Sequence, residues 1–387
     1  MKLFELRSLF LIAFSFFWIT NGVQVTAFQD RSDSDKFSTP IKQCWSRRLT
    51  DRSSATAGAD SRILLVAGRS GILQAVDSNF GKDLWSAELG GEISSEPFVH
   101  GDVVYVATNE VRGNGQDPPF SRLRAVSLRT GVTVWGIMMP YSSHVWLDHQ
   151  GGSLITIGDG GTVAAYSETD GTERWILPLH QAVTAQPAVL GNRIALVGDK
   201  YHMNIISGSD GQLLAARKFS FPIAAIALLP EDNLMLADER GNVELYSKLS
   251  DSSEWRFKKG ARFSALLGTQ AGILATSYDN FVYMLATKNG NVIWKRRLPG
   301  RIAGAPTVTN DLILIGDSSS GDIFLLDLKN GRVINQVSLS DTDEAISAPL
   351  IVGSTGFAAI VADKLNRFSF TDCTSNKKGD REQPPSS

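Results

Sequence analysis

One pattern recurs through this chain, and it restricts the fold more than any other feature. Aligned on it, the sequence reads LQAVDSNFGKDLW from Leu73, LRAVSLRTGVTVW from Leu123, VAAYSETDGTERW from Val163 and MNIISGSDGQLLA from Met203. It continues as VELYSKLSDSSEW from Val243, VYMLATKNGNVIW from Val282 and IFLLDLKNGRVIN from Ile323. Trp85, Trp135, Trp175, Trp255 and Trp294 close the pattern, with Ala215 and Asn335 standing in for Trp in the other two copies. The spacing is close to forty residues, except for fifty between Trp85 and Trp135. A unit of that size cannot bury its own faces and must stack on its neighbours. The 387 residues therefore read as one array of repeats, although length alone would suggest two or three separate domains.

Each column has a physical reading. The first four positions are rich in Val, Leu, Ile and Tyr, as in a strand. A short oxygen-bearing side chain follows at Asp77, Ser127, Ser167, Ser207, Ser247, Thr287 and Asp327, able to accept a backbone hydrogen bond two residues on and open a turn. Then come Gly81, Gly131, Gly171, Gly211, Gly290 and Gly331, with Asp251 once, where a positive φ is expected. The Trp opens a second strand, so each copy is a hairpin. Two further strands precede it. One follows a Pro in SSEPFVHG, TAQPAVLG, GAPTVTN and SAPLIVG, and the next is an apolar run such as VVYVAT or LILIGDSSSG. Each unit is thus a four-stranded antiparallel sheet.

The ends of the array indicate whether it is open or closed. The segment ISAPLIVGSTGFAAIVADKLNRFSF supplies three strands and places Ser369 in the turn column, with no Trp strand after it. The missing strand is CWSRRL, in which Trp45 and Leu49 match Trp85 and Leu89. An open solenoid has no reason to divide a unit between its ends, whereas a closed β-propeller does. An all-β, eight-bladed propeller spanning 41–373 is expected, its last blade completed by the N-terminal strand. Cys373 falls in the turn-glycine column and Cys44 just before the Trp, so a disulfide is expected where the other blades have a hairpin loop. Two buried thiols are the alternative.

The first 27 residues follow another logic. Lys2 and Arg7 precede an apolar run from Leu9 to Ile19, and Val25 and Ala27 are placed as in a small-residue cleavage site. This reads as a secretory signal peptide over 1–27. Its eleven-residue apolar run is too short for a membrane span, which needs about twenty. An exported chain, periplasmic or secreted, permits the disulfide. The polar segments 28–40 and 374–387 are expected to be disordered. A net charge of −2 gives no general attraction to nucleic acid, and a monomer without a transmembrane span is expected.

The recurring AVDxxxGxxxW element resembles the pyrroloquinoline-quinone-type repeat of eight-bladed propellers. Its single-domain length, and a segment such as GDSSSGDIFLLDLKNGR, are most similar to the BamB-type accessory proteins of outer-membrane β-barrel assembly. The resemblance covers nearly all of 41–373. It implies a non-catalytic scaffold that docks a protein partner of the cell envelope through loops on one face. Three features depart from the family. The segment matching its Leu-rich, Arg-bearing loop is LPLHQAVTAQPAV, Leu177 to Val189, which has no Arg, and FSFPIAAIALL, Phe219 to Leu229, lacks an acidic pair. No lipid-acceptor Cys follows the leader.

The same repeat serves quinoprotein dehydrogenases, so a small oxidoreductase is the alternative function. Those enzymes need a calcium–quinone seat, and calcium takes six to eight oxygen ligands. No compact Asp/Asn/Glu cluster stands out, nor does a His-x-x-His or Cys-x-x-Cys spacing. Neither cofactor nor metal is expected, and no catalytic residue is assigned. Two features could bind a partner. The second unit carries about ten extra residues, NEVRGNGQDPPFSR, with Arg112, Asp117 and Phe120, read as a loop between two strands. Farther on, Arg256, Lys258, Lys259, Arg262, Lys288, Lys295, Arg296, Arg297 and Arg301 are opposed within their segment by Asp279 alone. The favoured reading of this basic run is protection of sheet edges. The other is a patch facing an acidic protein or anionic headgroups, which would permit peripheral membrane association.

Overall fold

A proline ahead of the first strand in four units has a direct structural consequence: without an N–H, that strand can pair only beyond it. Phe98–His100, Ala188–Leu190, Thr307–Val308 and Leu350–Val352 are accordingly only two or three residues long. Where no proline immediately precedes, the equivalent strands Val145–Gln150 and Phe263–Thr269 reach six and seven residues; Ile223–Leu229 reaches seven although Pro222 precedes it, because that proline lies farther from the next strand, Asn233–Asp238. The computed structural model describes residues 39–49, 53–57, 62–110, 119–247, 252–258, 261–302, 305–309, 311–317, 319–338, 349–361 and 363–373. The leader, most of segment 28–40 and the tail 374–387 lie outside these.

The described strands form eight antiparallel sheets. Taken in order around the ring, the first seven blades span 53–88, 92–139, 145–178, 188–218, 223–258, 263–297 and 307–338. Blade eight combines Leu350–Val352, Gly356–Val361 and Lys364–Ser369 with Lys42–Arg48, which pairs antiparallel to Lys364–Ser369. Trp45 lies opposite Arg367, and the Leu49 N–H donates to the Asp363 carbonyl. The core consists of eight apolar clusters, one per blade interface. In one, Leu65 and Leu73 of blade one meet Val104 and Val126 of blade two. The cluster that joins the ends packs Leu49, Leu64 and Val66 against Ala358, Ile360 and Leu365. An open stack of eight sheets would have only seven interfaces, so this eighth cluster closes the ring.

The repeat columns account for the joints between blades. In most blades the residue before the Trp sits in a bulge, as between Thr133 and Trp135, which turns the indole toward the next blade. Each ring then lies over that blade's turn glycine. A Cβ on Gly131 (φ +73°) would come within 2.6 Å of Trp85. Except at Trp175, the indole N–H donates to a carbonyl in the same turn: Trp45 to Ser78 at 3.1 Å, Trp85 to Leu128 at 2.8 Å and Trp135 to Glu168 at 2.9 Å. The oxygen column opens the turns as expected, the Asp77 carboxylate accepting from the Asn79 and Phe80 N–H groups at 2.8 and 2.9 Å.

The sixth copy corrects one assignment. The Gly290 N–H donates to the Ala286 carbonyl, as the Gly81 N–H does to Asp77. Ala286, and not Thr287, therefore holds the turn column there, and the Thr287 carbonyl accepts the Trp255 N–H at 2.9 Å. With no side-chain oxygen on Ala286, this turn rests on its backbone bonds and on Asn289, whose side-chain oxygen accepts from the Asn291 N–H at 3.1 Å.

Cys44 occupies the bulge position of the closing strand, where register shifts between Gln43 and Trp45, and is disulfide-bonded to Cys373 with the Cα atoms 5.4 Å apart. Lys42 pairs with Asp372 and Arg48 with Asp363 at the two ends of this strand. Both carboxyls are held below the ordinary aspartate range, chiefly by the hydrogen bonds from Lys42 and Arg48.

Candidate functional site

The basic run lies on the outermost strands of blades five and six, Trp255–Lys258 and Val292–Arg297, and on the connections that follow them. Its charges are mostly engaged. Arg256 donates to Glu244 at 2.6 Å, and the Glu244 side chain is only 4% exposed. The Tyr246 hydroxyl donates to the other carboxylate oxygen at 2.5 Å. Burial, then this hydrogen bond, raise the tyrosine's pKa. Arg296 donates to the Gly331 carbonyl of blade seven at 2.7 Å, a contact that Arg47 repeats on Gly81 at 3.3 Å. Lys295 lies over Phe281 and Arg262 over Tyr278, each 5.8 Å from the ring centre. Lys258, Arg297 and Arg301 are exposed. Lys259 lies outside the described residues.

Arg256 thus compensates a buried carboxylate. Arg256→Ala should destabilise the fold by about 1–3 kcal/mol, since Glu244 would keep its charge and lose its cation. Arg297→Ala should stay within about 0.5 kcal/mol of the parent. Urea unfolding of the two variants checks this.

The blade-two insertion is more ordered at its base than a plain loop. Asn109 and Glu110 extend the strand Val103–Glu110, and Phe120 opens Phe120–Ser127, with Glu110 opposite Phe120. Glu110 accepts from Arg124 at 2.6 Å and from Arg122 at 3.1 Å. Burial alone would raise its pKa, but the two arginines outweigh it and hold the carboxyl below the usual range. The Arg122 guanidinium sits 5.6 Å from the Phe120 ring centre. Arg112 and Asp117 lie outside the described residues.

Of the two segments matching the family's partner-binding surface, Leu177 to Val189 keeps Pro178, His180, Ala182, Thr184 and Gln186 exposed, whereas Phe219 to Leu229 is absorbed by packing. Phe219, Ile223, Ile226 and Leu228 are buried in the cluster between blades four and five. A cavity of about 360 Å³ opens among the inner strands of blades four to six, lined largely by alanines such as Ala188, Ala225 and Ala265, with Gln186 and Ser264 as its polar side chains. It contains no carboxylate, so it lacks the oxygen donors a calcium–quinone seat requires.

The structure also assembles a group that spacing did not reveal. His100 Nδ1 lies 2.7 Å from Glu168 Oε1, and His149 Nε2 lies 3.2 Å from Glu168 Oε2. The residues belong to two blades, so no local motif marks them. A usable signal was there: the histidines end the inner strands of successive units, and Glu168 holds the turn position to which the preceding blade's Trp donates.

This architecture defines a closed eight-bladed propeller with Trp-capped joints and no catalytic constellation among the described residues. The chain belongs to the family of outer membrane protein assembly factor BamB, whose family model matches residues 40–117, 119–214 and 218–379. It is 24% identical over 312 residues to the BamB of Shewanella oneidensis, covering 77% of this chain and 68% of that one. The BamB of Moranella endobia is 19% identical over 305 residues, covering 72% and 76%. The crystal structure of BamB from Moraxella catarrhalis superposes with a TM-score of 0.64 at 17% identity, covering 85% of this chain and 99% of that one. Among the described residues, no helix is long and apolar enough to cross a membrane.

Proposed function

We propose that this chain is an exported, non-catalytic scaffold that binds protein partners during outer-membrane protein assembly. One observation carries the reading: the family match runs through the whole ring, including the strand and tail that close it, and not merely through a repeat shared with unrelated propellers. Relatives matched over three quarters of this chain bear the name of an assembly factor. The charged, apolar and small-residue order of the leader supports export. Rigid blades joined by short turns suit a platform that presents loops to a partner.

The exposed cations Lys258, Lys295, Arg297 and Arg301, with the blade-two hairpin, are the surfaces we assign to partner contact. The outermost strands also have free edges, which the same charges guard against sheet-to-sheet pairing.

The test is removal of the gene from its native cell, followed by measurement of folded outer-membrane β-barrel proteins by their heat-modifiable migration on gels. Lower levels, restored by the parent chain, are expected together with co-purification of the barrel-assembly machinery. Unchanged barrel levels with no co-purification would overturn the reading. If the basic rim makes the contact, that association weakens sharply between low and physiological salt.

A further inference from the structure

His100 ends the inner strand Phe98–His100 of blade two, and His149 lies in the inner strand Val145–Gln150 of blade three. Glu168 follows Thr162–Ser167 in the adjacent turn. The two imidazoles stack with their centres 3.8 Å apart and share the one carboxylate. His100 Nδ1, His149 Nε2 and a Glu168 oxygen all lie within 4.8 Å of one another. The carboxylate is not a loose surface group, because the Trp135 N–H holds its backbone carbonyl at 2.9 Å.

The environment of His149 Nε2 indicates what is missing. The Gly152 N–H donates to this nitrogen at 3.2 Å, which requires a lone pair there. Glu168 Oε2, itself only an acceptor when ionised, faces the same nitrogen at 3.2 Å. A cation held by the Nε2 lone pair in place of the Gly152 N–H would also meet the facing Glu168 carboxylate. Protonating Nε2 would satisfy Glu168 but set the Gly152 N–H against another N–H. A metal ion would take both lone pairs and release the exposed Gly152 N–H to water.

We propose that His100, His149 and Glu168 form a binding site for a first-row transition-metal ion of the zinc class. Two imidazoles and a carboxylate are the donor set that such ions favour, and they leave a fourth position for water. Both cysteines are in the disulfide, so no thiolate competes for the ion. The bound metal ties blade two to blade three, and protons compete with it for the imidazole nitrogens.

The experiment uses the full mature chain without a polyhistidine tag. Calorimetric titration with zinc chloride at pH 7.5 should give one ion per chain and a raised melting temperature. Cobalt(II) should give visible absorption bands of a four-coordinate ion, a readout that needs no variant. Separate His100→Ala and His149→Ala substitutions should each weaken zinc binding at least about tenfold, while their near-ultraviolet circular dichroism in chelator matches the parent. Zinc binding should be largely lost at pH 5. An absence of saturable zinc binding, or stoichiometric binding unchanged in both histidine variants, overturns the proposal.

Discussion

Serine at both Cys44 and Cys373 should lower the folding free energy by up to about 5 kcal/mol, the largest single effect expected outside deletion of the closing strand. The bond joins residues 329 positions apart. Chain-entropy reasoning makes the stabilisation grow slowly with the length enclosed, and a loop this long lies at the upper end of the scale. It acts on the unfolded chain, so the native ring should look unchanged: Trp45 still lies over Gly81, and its N–H still reaches the Ser78 carbonyl. Urea unfolding of the parent, with and without reductant, should reproduce the difference seen with the double serine variant. Equal midpoints in all three would mean that the strand pairing alone carries closure and that the cross-link contributes nothing.

Gly131→Ala should cost about 3–5 kcal/mol, and Gly101→Ala about 1–2 kcal/mol. Both glycines have positive φ, +73° and +59°, so the backbone penalty is shared. They differ in their surroundings: a Cβ at Gly131 would strike the Trp85 ring at 2.6 Å, whereas one at Gly101 meets nothing within 4 Å. The excess measures what it takes to lift an indole from its seat between blades. Combining Gly131→Ala with Trp85→Ala should therefore cost less than the two separately, with a coupling of about 0.5–3 kcal/mol. Similar losses at both glycines in chemical denaturation would show that turn geometry alone selects glycine in this column.

The propeller was readable because its joints lie within the repeat. The turn oxygen, the glycine and the Trp fall at fixed offsets; the Trp is used at the interface that follows, and the turn with its glycine at the one before. Closure was readable for the same reason, since Trp45 and Leu49 belong to a column whose other members lie far along the chain. What escaped depends on contacts between different columns or blades. Glu244 and Arg256 sit opposite each other on paired strands, so a count of charges along the basic run overlooked the acid beneath it. The base of the blade-two insertion carries Gly, Pro and Asp nearby and read as loop, yet Glu110 and its two arginines continue the hairpin. The assignment of Thr287 was an offset error: counted from Val282, the fifth column is Ala286, four residues before Gly290. His100, His149 and Glu168 meet only because blades two and three are neighbours, and no spacing rule reports that.

The strand order of blade eight has a consequence for biosynthesis. Lys42–Arg48 leaves the ribosome among the earliest structured segments, yet its partner Lys364–Ser369 is among the last. Until that partner emerges, this strand has nothing to pair with at its end of the growing chain. Pairing across such a separation is slow and leaves the edge open to other strands. Holding the nascent chain unfolded until it is fully made would remove that hazard, and translocation as an extended polypeptide does so.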